Sequence, residues 1–416
     1  MYSSNHPLNL TFDEKGVCSG CRVHEEKDKL DWKEQGEKLR QILNEYRNKS
    51  GNNYDCIVPV SGGRDSYFIV YTIREVYGMN PLLVTYNKQY NTAVGVRNLA
   101  NLRLKFDCDI MTQTINPQTI KKITRGTLRQ FGSIYWHCLA GQTVFPVQIA
   151  VKFKIPLIIW GAHQGVDQVG MFSHLDEVEM TRKYRKEHDL MGYEAEDLIN
   201  QFDEISLKDV QSFAYPDNKE LEMVGVRGIY LNNYIRWDSR LQHELMIKKY
   251  QYETSHQTRT FDTYNDVDCW NYSDVHDYIK YLKHGYGKVV DHASREIRLK
   301  HMSRQEGVLQ IKKYLSRKPK HLNLFLEWLG ITENAFHYII DQHRNPNLWE
   351  RDHDWNWKLK FDHQKEIDDS EHSHEESSKI FNEFILTPKG VSPDNEEKYI
   401  LVGKGYNNQC LQEKNW

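Results

Sequence analysis

The sequence predicts an α/β fold centred on a parallel sheet, and three features predict it. Short apolar runs recur at 56–60 (CIVPV), 82–86 (LLVTY) and 157–160 (LIIW), with a more polar candidate at 109–114 (DIMTQT). Stretches of helical length, about 65–77, 92–105, 117–131 and 140–153, alternate with them, as expected for parallel strands covered by helices on both faces. The first run also passes straight into two adjacent glycines and an apolar helical stretch. Ligands of such sheets bind outside the carboxyl ends of the strands.

Taken in order, residues 1–50 hold Cys18-Ser19-Gly20-Cys21 in a turn-rich segment, then a charged helix with Leu39, Ile42, Leu43 and Tyr46 at helical spacing. Residues 51–215 carry the alternating pattern and read as the sheet domain. Residues 216–345 belong to a stretch, from about 170 on, that reads as mainly helical, with many aromatic and charged side chains. Residues 346–416 read as a polar linker and tail. Within it, 362–378 is acidic and His-rich with almost nothing apolar, which predicts a solvated segment. Some β character returns at Tyr399-Ile400-Leu401-Val402, and no internal repeat is found.

Bulk properties narrow the function classes. A formal net charge of −3 argues against a broad nucleic-acid or anionic-membrane surface. No apolar stretch approaches bilayer length, and the start, MYSSNHPLNL, lacks a signal-peptide pattern. Seven cysteines, an odd number, argue against a disulfide framework and fit a reducing cytoplasm. The 25 Tyr and 10 Trp suit polar, ring-shaped ligands, although aromatic core packing explains them as simply.

The strongest local signal is Ser61-Gly62-Gly63-Arg64-Asp65-Ser66 between strand and helix. Two glycines let the backbone turn tightly and bring several N–H groups to an anion. The following helix adds its positive end, and the serines add hydroxyl donors. A Gly-Gly turn with Asp65 or Ser66 capping a helix is the plainer account of part of this string; the full string in its context points to a nucleotide. No Lys-Ser/Thr pair follows the glycines, so this is not the Walker-type loop.

This string resembles the signature of the PP-loop ATP pyrophosphatases, whose core is of the adenine nucleotide alpha hydrolase-like type. The resemblance implies an enzyme that uses ATP with Mg2+, adenylates a carbonyl or amide oxygen and releases pyrophosphate. It implies that Ser61, Gly62, Gly63, Asp65 and Ser66 hold the pyrophosphate portion, with Ser61 and Asp65 in the catalytic set. It further implies that Thr85 and Tyr86, and Trp160 with Gly161, flank adenosine. Gly161-Ala162-His163 with Asp167 is either a second nucleotide-contacting turn or a structural His and a capping Asp.

Members of that group differ in nucleophile. Sulfur chemistry wants an exposed pair of reactive cysteines, and the sequence offers Cys138 beside His137 as the only Cys in a plausible position. A tRNA substrate wants a basic surface that the net charge does not announce. Ammonia leads. No cysteine stands at the N-terminus or in a nucleophile elbow, so the nitrogen is expected from free ammonia or a separate glutaminase.

Three further segments, 12–32, 230–238 (YLNNYIRWD) and 274–298 (DVHDYIKYLKHGYGKVVDHASREIR), resemble the N-acetyl sugar amidotransferase family of lipopolysaccharide O-antigen and pseudaminic-acid-type sugar modification, over most of 12–312. The resemblance implies conversion of the acetamido group of a sugar, nucleotide-linked, into an acetamidino group. It also implies an ammonia-supplying partner similar to imidazole glycerol phosphate synthase. On the residues themselves, Lys283, His284, Lys288, Arg295 and Arg298 form a cation cluster loosened by Gly285 and Gly287. Such a cluster can neutralise a sugar carboxylate or a nucleotide diphosphate; a solvated helix face with Asp291 and Glu296 is the alternative. Lys283 and Lys288 are the catalytic candidates there, and His284, Arg295 and Arg298 the substrate-binding ones. Tyr234, Trp237 and Asp238 suit stacking on and hydrogen bonding to a sugar, or simple packing.

Cys18-x-x-Cys21 has the spacing of half a tetrahedral zinc site. The resemblance implies a preceding second pair, but residues 1–11 contain no Cys, leaving His6, His24 or Cys269 as substitutes for a structural zinc. Two rivals to the sugar enzyme remain: a PP-loop enzyme acting on a nucleobase or tRNA, and a non-catalytic nucleotide-binding subunit.

Overall fold

The structure is a computed structural model that describes residues 2–360, apart from 3–5, 8–9, 50, 52–53 and 203. The acidic segment 362–378 and the candidate strand at 399–402 lie outside the described residues.

Two helices, α1 (Ser19–Lys27) and α2 (Trp32–Tyr46), lead into the sheet. Asp31 caps α2 by accepting from the Lys33 and Glu34 amides, and Leu39, Leu43 and Tyr46 form its buried stripe. The sheet follows as β1 (Cys56–Pro59), β2 (Pro81–Tyr86), β3 (Ile110–Gln113) and β4 (Leu157–Trp160), joined by α3 (Arg64–Val70), α4 (Ala93–Lys105), α5 (Pro117–Phe131) and α6 (Trp136–Phe153). Helix α3 continues through a π-helical stretch, Tyr71–Val76. These elements answer the alternation in the sequence, because each apolar run is a strand buried on both faces, β2 completely so.

All strand pairs of the sheet are parallel, in the order β3-β2-β1-β4-β5. The fifth strand, β5 (Arg227–Tyr230), is a correction: it lies in the stretch read as mainly helical. It pairs along β4, Leu157 with Arg227 through Trp160 with Tyr230. At four residues with two half-buried ends, it is too short and too mixed to announce itself by alternation. Between β4 and β5 come short helices α7 (Gln164–Asp167), α8 (Arg182–Tyr184), α9 (Ala195–Gln201), α10 (Leu207–Val210) and α11 (Asn218–Val224).

One face of the sheet packs Val58, Leu83 and Ile159 with Tyr67, Val70, Leu102 and Phe106 of α3 and α4, and with Trp237. The other packs Ile57, Leu82, Val84 and Ile158 against Phe145, Val147 and Ile149 of α6. Beyond the sheet follow α12 (Ser239–Tyr250), α13 (Trp270–His284), α14 (Lys288–Arg298), α15 (Arg304–Tyr314), α16 (Leu322–Leu329) and α17 (Glu333–Asp341), then a small hairpin of β6 (Trp349–Arg351) and β7 (Trp357–Leu359). Helices α13, α16 and α17 share a core with α5, through Leu128, Tyr272, Val275, Phe325, Leu329 and Phe336. The helical region is therefore packed directly on the sheet domain.

Candidate functional site

Strand order reverses at β1, which has β2 on one side and β4 on the other. The crevice at the carboxyl ends of β1 and β4 is where such sheets hold ligands, and the glycine string leaves β1 into it. Val60 donates to Val84 O at 2.9 Å as the chain departs. The loop then closes on itself: the Ser61 amide donates to Ser66 Oγ at 3.0 Å and the Gly63 amide to Ser61 Oγ at 3.3 Å. Gly62 has φ +82°, and a Cβ there would stand 3.0 Å from Gly95 O and 3.1 Å from Leu99 Cβ. Only glycine fits both demands. Gly63 is the N-cap of α3 and supplies no side-chain cap; the Ser66 amide donates to Gly63 O at 3.1 Å, which leaves the amides of Arg64 and Asp65 as the free donors of the first turn.

Asp65 opens α3, and its side chain keeps 42% of its surface accessible. Protein nevertheless surrounds it, and that burial raises its pKa above the ordinary carboxylate range, offset by Arg64 and Arg295. Open to water yet enclosed at longer range is the condition of a group on a cleft wall. Arg64 Nη1 and Asp65 Oδ1 lie 2.6 Å apart, but neither atom is engaged in a hydrogen bond. The buried indole N–H of Trp160, at the end of β4 and packed on the α6 side of the sheet, also has no acceptor. Unspent backbone and guanidinium donors fit a polyphosphate, and an open carboxylate fits Mg2+, which binds through few carboxylates plus substrate phosphates.

A second wall comes from segment 262–269, between α12 and α13. Asp262 accepts from the Asn265 amide at 2.8 Å, from Asn265 Nδ2 at 2.5 Å and from Arg295 Nη2 at 2.7 Å. Asn265 Oδ1 in turn accepts from Arg64 Nε at 2.5 Å. Burial opposes ionisation of Asp262, but His292 and Arg295 hold its pKa well below the usual range. Farther along, Asp268 Oδ2 holds Lys88 Nζ at 3.0 Å in a buried pair, while Asp268 Oδ1 would stand 3.7 Å from a Cβ on Gly63. Nothing in the sequence marks Arg64, Lys88, Asn265 or Asp268 as partners. Their contacts span as many as 201 positions, and no local spacing encodes that.

The cation cluster read from 283–298 does not converge. Arg295 joins the cleft wall through Asp262 and Glu296. Lys288 is buried among Asp274 Oδ1 (2.6 Å), Gln257 Oε1 (2.7 Å) and Asp266; burial would lower its pKa, and Asp274 and Asp266 raise it instead. Lys283 donates to Phe131 O at 2.7 Å and so caps α5, and burial pushes its pKa down to about 8. His284 is held neutral by burial, which pushes its pKa down to about 3 with Lys283 adding to the effect. Arg298 donates to Gln168 O at 2.5 Å. The stretch is split between α13 and α14 by the break at Gly285–Gly287, so cations close along the chain point different ways.

Tyr234 and Trp237 are corrected outright as stacking residues. They are 2% and 1% exposed, and Trp237 packs edge-on against Phe68, so neither ring offers a sugar a face. Asp238 caps α12 by accepting from the Arg240 and Leu241 amides, with His301 at 3.6 Å. Thr85 is buried, and Tyr86 Oη lies 3.1 Å from His137 Nδ1. Gly161 faces Trp237 and Ile69. His163 sits among Phe172, Tyr184 and Tyr230, and Asp167 pairs with Lys27, so the turn at 161–167 is structural.

Cys18 is the N-cap of α1, and its Sγ lies 3.4 Å from that of Cys21. The hydrogen bond from Cys21, with help from Arg298, pulls the Cys18 thiol well down, while Cys21 is pushed up. Among the described residues no third Cys, His or carboxylate gathers with these two. Arg298 Nη2 stands 3.5 Å from Cys18 Sγ instead. Cys269 is occupied beside Lys88, and His6 packs against Tyr2 and Tyr286. Two thiols and a guanidinium do not fit a tetrahedral zinc site, and the expectation of structural zinc is withdrawn.

Residues 244–361 match the family model described as the C-terminal domain of WbpG-like LPS biosynthesis proteins. The chain is similar to WbpG-like proteins. The match bears out the family resemblance carried by the sequence, and it contains segment 262–269 and the 283–298 cations, though not the glycine loop. An uncharacterized protein of Methanocaldococcus jannaschii is 26% identical over 114 residues, 27% of this chain. The chain spans 39% of that relative's length. Among solved structures, the NH3-dependent NAD synthetase from Campylobacter jejuni, in complex with the nitrate ion, aligns at 15% identity and TM-score 0.27, over 47% of this chain and 92% of that one. No helix among the described residues is long and apolar enough to cross a membrane.

Proposed function

We propose that this protein is an ATP-dependent amidotransferase that turns the acetamido group of a nucleotide-linked sugar into an acetamidino group for surface polysaccharide synthesis. One observation carries the reading: the glycine loop at the strand-order reversal, with unspent donors, is walled by a segment of the WbpG-like region. The first supplies a grip for ATP, and the second ties that grip to a family whose description is LPS biosynthesis.

In this reading the amide oxygen attacks the α-phosphorus and pyrophosphate leaves. Ammonia then adds to the activated carbon, and AMP departs with the former amide oxygen. The Gly62 amide and the Ser61 and Ser66 hydroxyls hold the leaving pyrophosphate, with Gly63 leaving room for it. Asp65 would hold Mg2+, which would supply neutralisation of the phosphate charge. Arg295, tied to the loop through Asp262 and Asn265, borders the sugar nucleotide, while Lys288 stays buried in its pairing with Asp274. Ammonia comes from a separate glutaminase in the cytoplasm.

The two cysteines beside Lys88, Cys138 and Cys269, favour nitrogen over sulfur. Burial pushes the Cys138 thiol far up and the Cys269 thiol up to about 12. Neutral buried thiols are poor sulfur carriers, which counts against a tRNA thiolation reading.

The test is incubation with ATP, Mg2+, ammonium and a panel of nucleotide-linked acetamido sugars. Exchange of =O for =NH makes the product lighter by about one mass unit, alongside AMP and pyrophosphate. Release of ADP, or turnover that needs tRNA and ignores the sugars, refutes the proposal.

A further inference from the structure

Arg64 occupies the fourth place of the glycine string, and its environment is unusual for a surface arginine. Its side chain is 10% exposed. The guanidinium carbon lies 5.3 Å from the Tyr264 ring centroid, and Nε is spent on Asn265 Oδ1. Nη1 is buried and has no hydrogen-bond acceptor, although Asp65 is in contact with it. Asp65 Oδ1, 2.6 Å away, offsets its charge, but the donor has no aligned acceptor, and a buried donor in that state is one that a ligand oxygen can satisfy. This one stands at the opening of α3, beside the Arg64 and Asp65 amides, which are free, while the Ser66 amide donates to Gly63 O.

We propose that Arg64 is a phosphate-binding residue of the nucleotide site and that Asn265 is its positioning residue. The inference rests on the reading of the glycine loop as an ATP site. Guanidinium donors in a fixed fork match phosphate oxygens. Asn265 fixes the fork by holding Nε, and is itself held by Asp262, which Arg295 also grips. The contact therefore runs from α14 in the WbpG-like region, through Asp262 and Asn265, to the phosphate loop. Arg64 meets the outer phosphates, so it distinguishes ATP and pyrophosphate from AMP.

The experiment measures binding of ATP, pyrophosphate and AMP to the full chain by calorimetry with Mg2+, for wild type, Arg64→Met, Asn265→Ala and Asn265→Asp. Thermal unfolding of each checks the fold. Loss of one charge-assisted phosphate contact is worth about 10- to 100-fold in affinity. Arg64→Met is expected to lose that much for ATP and pyrophosphate while AMP changes less than about threefold. Asn265→Ala and Asn265→Asp are both expected to weaken ATP binding in the same direction, the first by removing the acceptor for Arg64 Nε and the second by setting a carboxylate against Asp262 in place of the Nδ2 donor. If Arg64→Met binds ATP and pyrophosphate as wild type does, or loses AMP equally, the assignment is overturned. If Arg64→Met does not fold, the Asn265 pair decides: equal ATP affinity for Asn265→Ala and wild type overturns it. A wild-type chain that binds neither ATP nor pyrophosphate sinks the ATP reading itself, a separate outcome.

Discussion

The backbone of Asp268 rests directly on Gly95. A methyl group at Gly95 would stand 2.8 Å from both the Cβ and the carbonyl oxygen of Asp268, and closer still to its Cα. Thr92 fixes the same junction by donating its amide to Asp268 O at 2.9 Å and its hydroxyl to Val267 O. The N-terminus of α4 and the segment that walls the phosphate loop are thus held at contact distance.

Gly95→Ala is therefore expected to push 267–269 away from the glycine loop. Overpacking of this kind costs about 1–3 kcal/mol, so the melting temperature falls by several degrees. Pyrophosphate release should fall more than the loss of stability accounts for at a temperature where the variant is folded. An unchanged melting temperature with unchanged turnover would show that the contact does not matter.

The two loop glycines should separate under the same treatment. Gly62 combines φ +82° with atoms at 3.0–3.2 Å from a Cβ, so Gly62→Ala is expected to lose about 1–3 kcal/mol of stability. Gly63 has ordinary φ, and a Cβ would meet only Ser61 Oγ at 3.2 Å and Asp268 Oδ1 at 3.7 Å. Gly63→Ala should cost less than about 1 kcal/mol and yet weaken ATP binding, because its methyl enters the space of the phosphates. Denaturant titration and nucleotide calorimetry together distinguish the two; equal behaviour in both counts against this assignment.

What the sequence made legible was local. Strands β1, β2 and β4 each carry their burial in a short apolar run, and the glycine string needs only neighbours in sequence to turn. The cation cluster misled for the same reason: Lys283 and Arg298 are close along the chain, but one caps α5 and the other reaches Cys18. Strand β5 was hidden because half of its four residues are only partly buried. Tyr234 and Trp237 are amphipathic side chains whose burial is a tertiary outcome, and Asn265 meets Arg64 only through folding.

Metal dependence gives another check. With Arg298 beside Cys18 in place of further ligands, a chelator is expected to leave the melting curve unchanged, and elemental analysis to find no stoichiometric zinc. Arg298→Met removes the cation that favours the Cys18 thiolate, so alkylation of Cys18 should shift to higher pH. Zinc at one equivalent that is lost on Cys21→Ser would show that the donor set is completed from outside the described residues.

Acid stability follows from histidines held neutral by burial. His163, caged by Phe172 at 5.2 Å, Tyr184 at 4.4 Å and Tyr230 at 4.7 Å, has its pKa pushed down to about 3, and neither ring nitrogen has a hydrogen-bond partner. A histidine of the unfolded chain takes up its proton near pH 6.5. Between that pH and about 3 the unfolded state binds a proton that the folded state refuses, so stability falls as pH drops through this window. Each such histidine contributes about 1.4 kcal/mol per pH unit; His137, at about 3, and His276 and His292, at about 4, add to the slope. His163→Phe preserves the ring and removes the titration. It should leave stability at pH 7.5 unchanged or higher, and make the loss between pH 6 and 4 shallower by about one proton. A variant whose stability falls as steeply as wild type over that range would mean that His163 is protonated in the fold, and that its cage opens to water.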